Sequence, residues 1–504
     1  MYPSARFLIP QSSLSESYWV LDSILLIQAP PGYVFLLLLV TPIVYCLPIS
    51  LCTAEMATAL PDAGMVDWIQ DACGSILGSH TTYWIWITYI FDAAIYPVLA
   101  GEYVAQQVDF SWMPGGGNEL GKDIFVIVLI SIVTIIKVVG MDVFVKFSTV
   151  LAVISLMPIA IYLGFGFPRI SLDGVDDFSG DFNCNTTFIT PNVTFTRCDH
   201  EDVDWSTLIP WVLWLYSGFF SLGAIAGDVD RPKRTFSIVI AMLLPLVTLL
   251  NTVPLAIALS EDPVLSNYDP GHFNNIAGNM AGSWLSYMFI VAAAICLVGL
   301  YSAQVLVAEE STSCFVHSAF PEIFSVDSSI ARSNRVMRWL LDGSKGNAPL
   351  WIIFNGFCSM GLAFLPYTLL VEFTMLIHVP PTLLFLYAYL YYKVKFPNLP
   401  RPFNIPGGVP MAAFLITGPT AATLLNLYYA VTDAAPSLGI AYLQAYCLAI
   451  VVGVGIIIHL GYIVSGSAVY SYRNRPVSYA DMFRYEPPPV NASVKSGDAY
   501  ESIF

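Results

Sequence analysis

Along this chain apolar runs of about 20 residues, the length that crosses a bilayer at 1.5 Å rise per residue, recur with short polar breaks between them. They fall at 5–28, 33–57, 82–104, 124–141, 144–166, 207–226, 237–259, 284–308, 349–369, 370–392, 410–431 and 439–464. The pattern predicts an all-α polytopic membrane protein of twelve spans. Spans nine and ten nearly touch, and their boundary is read at Pro366–Leu370. Two spans carry polar interruptions. In the first, Pro10 is followed by Ser12, Ser13, Leu14, Ser15 and Glu16, and the segment closes on Asp22. In the sixth, WVLWLYSGFFSLGAIAGDV is interrupted at Ser217-Gly218 and again near Gly223. Non-helical backbone at membrane depth is tolerated only where protein or a water-filled cavity satisfies it. Two broken helices five spans apart predict a pair of five-helix inverted repeats with a binding site between the discontinuous helices, followed by two additional helices.

Composition agrees with this: 56% of the 504 residues are hydrophobic, 11% are charged, and mean hydropathy is +0.68. MYPSARFLIP has one Arg and no small-residue cleavage site, so no signal peptide is expected. Nine cysteines with no CxxC speak against a zinc or thioredoxin-type site. The net charge of −16 divides unevenly. With a cytoplasmic N-terminus, most Lys and Arg, from Lys146 and Arg231 through Arg338, Lys393 and Arg401 to Lys495, lie inside, while Lys122, Arg169 and Arg197 lie outside.

The same orientation puts loop 167–206 outside. It holds sequons at Asn185 and Asn192, and it holds Cys184 and Cys198 with thirteen residues between them, a plausible disulfide in an oxidising compartment. The loop is acidic, which reads first as a solvated glycosylated surface and second as a funnel for cations. The chain then divides into repeat one (1–166), the outer loop (167–206), repeat two (207–392, with an inner loop at 309–348), spans eleven and twelve (393–464) and a cytoplasmic tail (465–504). In the inner loop, SNRVMRWLL reads as an amphipathic helix for the anionic leaflet.

No nucleophile elbow, phosphate loop or metal-ligand cluster appears, so neither an enzyme nor a bound cofactor or metal is expected. The informative residues are charges inside spans, each costing about 3 kcal/mol to insert. Asp92 sits mid-way along span three, with Tyr96 one turn further on the same face. Glu372 opens span ten. For each the bland role is structural pairing and the sharper one is substrate or proton binding. Glu55 and Glu102 read as interfacial, because both lie near span ends. Tyr216, Ser217, Gly218, Phe219 and Phe220 surround the second break, where a phenylalanine either packs or closes over substrate. His378 and His459 read as packing groups before proton carriers.

FDAAIYPVL, PISLCTAEMATALPDAG, STVLAVISLMPIAI, GAIAGDVDRPKRTFS, GSWLSYMFIVAAAICLVGLYSAQ, LLVEF and KVKFPNLPRPFNIPGG stand in an order and spacing that resembles the amino acid–polyamine–organocation superfamily, within it the polyamine and cationic amino acid branch typified by plant polyamine uptake transporters. The resemblance implies the LeuT-type fold and a proton- or sodium-coupled importer in the plasma membrane with both termini cytoplasmic. It implies a substrate site formed by residues 12–18 and 216–223, with Asp92, Tyr96 and Glu372. The departures are Leu21-Asp22 where the branch has Glu-Asp, Phe219-Phe220 where it has Trp-Asp, and no second acid near Leu384. Carboxylates for a dication are therefore missing, which keeps a neutral amino acid transporter and a non-transporting sensor open as alternatives. Residues 105–123 lack cysteine, so no disulfide-linked heavy chain is expected, and no nucleic-acid partner is expected.

Overall fold

The computed structural model describes residues 25, 29–60, 64–107, 117–171, 175–178, 188–190, 193–195, 203–218, 232–268, 271–319, 334–342, 349–432 and 443–464. Apart from Leu25, span one with Ser12, Ser13, Ser15, Glu16 and Asp22 lies outside the described residues, as do Phe219, Phe220, Cys184, Cys198, Asn185, Asn192 and the tail.

Helix α1 (Pro31–Ala59) opens on a proline, whose missing N–H costs nothing in a first turn. A second proline, Pro42, falls inside the rod. There the turn widens to a π-type stretch over Pro42–Cys46, which absorbs the lost donor and the ring clash without ending the helix. Short α2 (Met65–Cys73) leads through Gly74 into α3 (Ser75–Gln107), a 33-residue rod about 50 Å long. Then follow α4 (Gly117–Val139) and α5 (Met141–Gly166). In loop 167–206 a small antiparallel hairpin pairs Phe188–Thr190 with Val193–Phe195, with Ile189 opposite Thr194. The sequence reading did not foresee this hairpin, while the bundle itself is all-helical as expected. Its β-branched and aromatic residues flank Pro191-Asn192, which is turn chemistry.

The second half comprises α6 (Trp205–Leu215), α7 (Pro232–Glu261), α8 (His272–Ala281), α9 (Ser283–Ala319), surface helix α10 (Arg335–Leu341), α11 (Pro349–Leu362), α12 (Tyr367–Ile377), α13 (Val379–Lys395), α14 (Gly408–Thr432) and α15 (Leu443–Val464). Helices α12 and α13 are continuous across His378 and make one 29-residue rod, Tyr367–Lys395. The boundary between spans nine and ten therefore falls at 363–366, earlier than expected. Pro366 adopts φ −58°, ψ 140°, an extended conformation that caps α12 and cannot continue α11.

The long helices α3 and α9 pack along each other at the centre. Helices α4, α5, α8, α11 and α12 pack against one or both. In α4, Val126, Ile130, Val133 and Lys137 face inward, while Ile124, Val128, Ile132, Ile135 and Val139 are exposed. Both stripes repeat at three to four residues, so both faces of the helix are apolar, the pattern of a helix with lipid on one side. Outer faces of α1 (Leu36, Leu39, Ile43), α14 (Phe414, Tyr428) and α15 (Ile450, Ile457) repeat it. Among the described residues six helices are long and apolar enough to cross a membrane: Pro31–Ala59, Ile76–Ala105, Arg234–Glu261, Ser283–Ser313, Tyr367–Lys395 and Gly408–Thr432. Helix α14 closes on the widened turn of α1 through Gly418, where a side chain would collide with the Val44 carbonyl.

Candidate functional site

Helix α6 fixes the site. Asp204 caps it, its carboxylate accepting the backbone N–H groups of Ser206 (3.1 Å) and Thr207 (3.2 Å). The helix then runs for only 11 residues, about 16 Å, roughly half the depth of a bilayer core. It stops where the sequence places a break. The last turn tightens as Tyr216 and Ser217 donate their N–H groups to Leu213 and Trp214 at 3.3 and 3.0 Å. The Ser217 hydroxyl donates to the same Trp214 carbonyl at 2.8 Å. Gly218 follows at φ +87°, a left-handed conformation that glycine adopts without strain.

Against this broken end lies the middle of α3. Asp92 is 7% exposed, and its Oδ1 accepts the indole N–H of Trp214 at 2.7 Å. Tyr96, one turn on, is buried with its ring 5.9 Å from Trp214. From α9, Gln304 reaches the Tyr96 hydroxyl at 3.5 Å. The Tyr216 hydroxyl donates to the Leu38 carbonyl at 2.7 Å and ties the break to α1. Asp92, Tyr96, Tyr216, Ser217 and Gly218 therefore gather around Trp214, which the sequence reading passed over. Its signal was there: an indole N–H inside an apolar span needs an acceptor, and a mid-span carboxylate is the natural one.

Glu372 lies elsewhere. It is buried on α12, where Oε1 accepts from the Thr207 hydroxyl at 3.3 Å and Oε2 from the Gln444 amide at 2.6 Å. Thr207 precedes Trp214 by seven residues, so the two carboxylates meet α6 at levels about 10 Å apart.

Two further buried charges differ in kind. Glu55 was expected at an interface and is fully buried instead, because the turn between α13 and α14 folds over the end of α1. Lys393 Nζ and Arg401 Nε pair with Glu55 at 2.5 and 3.0 Å, and the Tyr389 hydroxyl and Ile405 N–H donate to it at 3.1 and 3.3 Å. Lys137 on α4 pairs with Glu309 on α9 at 2.5 Å, both sealed from solvent. Glu102, near one end of α3, pairs with Lys122 at 3.0 Å and is 30% exposed. His378 is half-buried at the α12–α13 junction, its carbonyl accepting from Thr382 at 2.8 Å. The side chain of His459 lies outside the described residues. Among the described residues no group of three His, Cys, Asp or Glu side chains could hold a metal ion.

Among the described residues the buried carboxylates Glu55 and Glu309 face cations, whereas Asp92 and Glu372 are held by neutral donors, and of these two it is Asp92 that lies beside the end of α6. Desolvated charge without a counter-charge is costly, and a bound cation offsets that cost.

Sequence comparison adds an independent line. The family model for amino acid permeases matches residues 7–466. A probable polyamine transporter of Arabidopsis thaliana is 23% identical over 394 residues, covering 78% of this chain and 72% of its own length. Polyamine transporter PUT1 of Oryza sativa subsp. japonica is 23% identical over 393 residues (76% and 65%). A second probable polyamine transporter of Arabidopsis thaliana is 22% identical over 413 residues (81% and 78%).

Proposed function

This chain belongs to the amino acid permease family, an integral membrane transporter and not an enzyme, and from that premise we propose that it imports polyamines or cationic amino acids by proton-coupled alternating access. The observation that carries the substrate class is Asp92, a buried carboxylate at mid-span beside the broken end of α6, held by a neutral donor. An ammonium group seated there supplies the missing counter-charge, and a proton does so when substrate leaves. The relatives named as polyamine transporters support the same class.

In this reading the chain has twelve spans in the LeuT-type 5+5 arrangement plus two. Support comes from the apolar runs and from the stop of α6 at Gly218. Both termini are cytoplasmic and the membrane is the plasma membrane. Asn185 and Asn192 carry glycans outside, and Cys184 pairs with Cys198. Helix α10, which exposes Val336 and Trp339 beside Arg335 and Arg338, lies on the inner leaflet.

The test is uptake of radiolabelled putrescine, spermidine, arginine and leucine by cells expressing the chain, with and without a proton gradient. Saturable, gradient-dependent uptake of the amines or arginine is expected. Leucine uptake alone replaces the substrate class with neutral amino acids. Binding without flux makes the chain a sensor.

A further inference from the structure

Trp214 does two things at once. Its side chain donates to Asp92 at 2.7 Å, and its main-chain carbonyl accepts both the N–H and the hydroxyl of Ser217, directly before the left-handed Gly218. An indole has one N–H and no acceptor, so this bond has one direction and one register. The ring is 3% exposed and wedged between Tyr96 at 5.9 Å and Trp211 at 5.8 Å, the latter edge-on. It has little freedom to follow Asp92 if that side chain turns. The Asp92 carboxylate is thus tied through one rigid residue to the point where α6 stops.

We propose that Trp214 is the positioning residue for Asp92: it holds the carboxylate in the orientation that receives a substrate ammonium and links that orientation to the break at Ser217-Gly218. The inference rests on the reading of Asp92 as an ammonium-binding group. Trp214 itself touches no substrate in this scheme. Without its N–H the Asp92 side chain samples other rotamers, and substrate must order it on arrival. That ordering weakens apparent affinity and leaves the turnover of a filled site unchanged.

The experiment compares Trp214→Phe, Trp214→His and Asp92→Asn in radiolabelled spermidine and arginine uptake, with rates divided by the amount of protein at the cell surface. Trp214→Phe keeps an aromatic ring and removes the donor, whereas Trp214→His keeps a ring N–H. The expected result is a KM raised about tenfold in Trp214→Phe, about 1.4 kcal/mol, with maximal rate per surface protein within about twofold. Trp214→His should fall between Trp214→Phe and the unaltered chain. A packing role alone would lower surface protein or maximal rate and leave KM in place. A KM in Trp214→Phe within about twofold of the unaltered chain, with Asp92→Asn inactive, overturns the inference and spares the reading of Asp92. Normal uptake by Asp92→Asn overturns the reading itself, and this inference with it. If Trp214→Phe does not reach the surface, KM is read in vesicles from total membranes, where equal values for Trp214→Phe and Trp214→His overturn the inference.

Discussion

Asp92 and Glu55 are carboxylates sealed within one helix bundle, and they are surrounded in opposite ways. Glu55 faces two cations, Lys393 and Arg401, and also accepts from Tyr389 and Ile405. Its partners are themselves anchored: Lys393 donates to Asn404 at 3.3 Å, and Arg401 donates to the carbonyls of Tyr392 and Phe396, both at 3.0 Å. Phe403 N–H reaches Thr58 at 3.3 Å, one turn beyond Glu55 on α1. Every charge there is answered by the chain, so the cluster fastens α1, α13 and the following turn together. Asp92 has one neutral donor beside a broken helix. A transporter needs both arrangements. A carboxylate neutralised by its own protein makes a joint, and one held by a neutral donor beside the end of a helix is placed to make a site.

The comparison breaks most visibly at the joint. Glu55→Gln keeps the shape and removes the charge, leaving Lys393 and Arg401 buried against an amide. Losing one side of a buried ion pair costs about 3–5 kcal/mol. The expected outcome is a sharp fall in surface protein and a lower melting temperature in detergent, whatever the substrate. A melting temperature equal to the unaltered chain would show that the cluster is not a joint. At the site the expectation reverses. Asp92→Asn removes the charge that a substrate ammonium would meet, so uptake should fall at least about 100-fold while surface protein and melting temperature stay near normal. That follows because, among the described residues, no cation pairs with Asp92 and none is left unpaired by its loss. A large loss of stability in Asp92→Asn would place it with Glu55 as a structural charge.

Six of the spans were legible, matching the six membrane-length helices among the described residues, because about 20 apolar residues in a row have few other uses. The end of α6 was legible because Ser217 and Gly218 interrupt such a run with a hydroxyl and a backbone free to take positive φ. What was illegible depends on distance along the chain. Glu55 looked interfacial from its position in α1, and what buries it is a turn about 340 residues away. Trp214 draws no reading of its own until α3 is laid beside α6. Asp92 and Glu372 looked like members of one site, and only the register of α6 separates them, by the seven residues from Thr207 to Trp214. Lys137 passed unnoticed at the end of an apolar run because Glu309 lies far away on α9.

A smaller effect sharpens the role of the break. Gly218→Ala puts a Cβ on a residue at φ +87°, which costs about 1–2 kcal/mol. Stability should drop modestly, far less than for Glu55→Gln, while uptake falls further than stability does, because the backbone geometry at the end of α6 is displaced. Uptake that tracks surface protein alone would show that the left-handed turn serves folding and not transport.

The smallest effect belongs to a charge pair that resembles the joint in composition and not in setting. Lys122 pairs with Glu102 at 3.0 Å and with Glu119 at 2.7 Å, and these carboxylates are 30% and 81% exposed. Exposed pairs contribute about 0–1 kcal/mol because water and salt already screen them. Lys122→Ala should leave uptake unchanged and shift the melting temperature by no more than a degree or two, an effect that shrinks as salt rises. A loss comparable to that of Glu55→Gln would mean that counting opposite charges, and not their burial, ranks the ion pairs of this bundle, and the contrast between Glu55 and Asp92 would lose its physical basis.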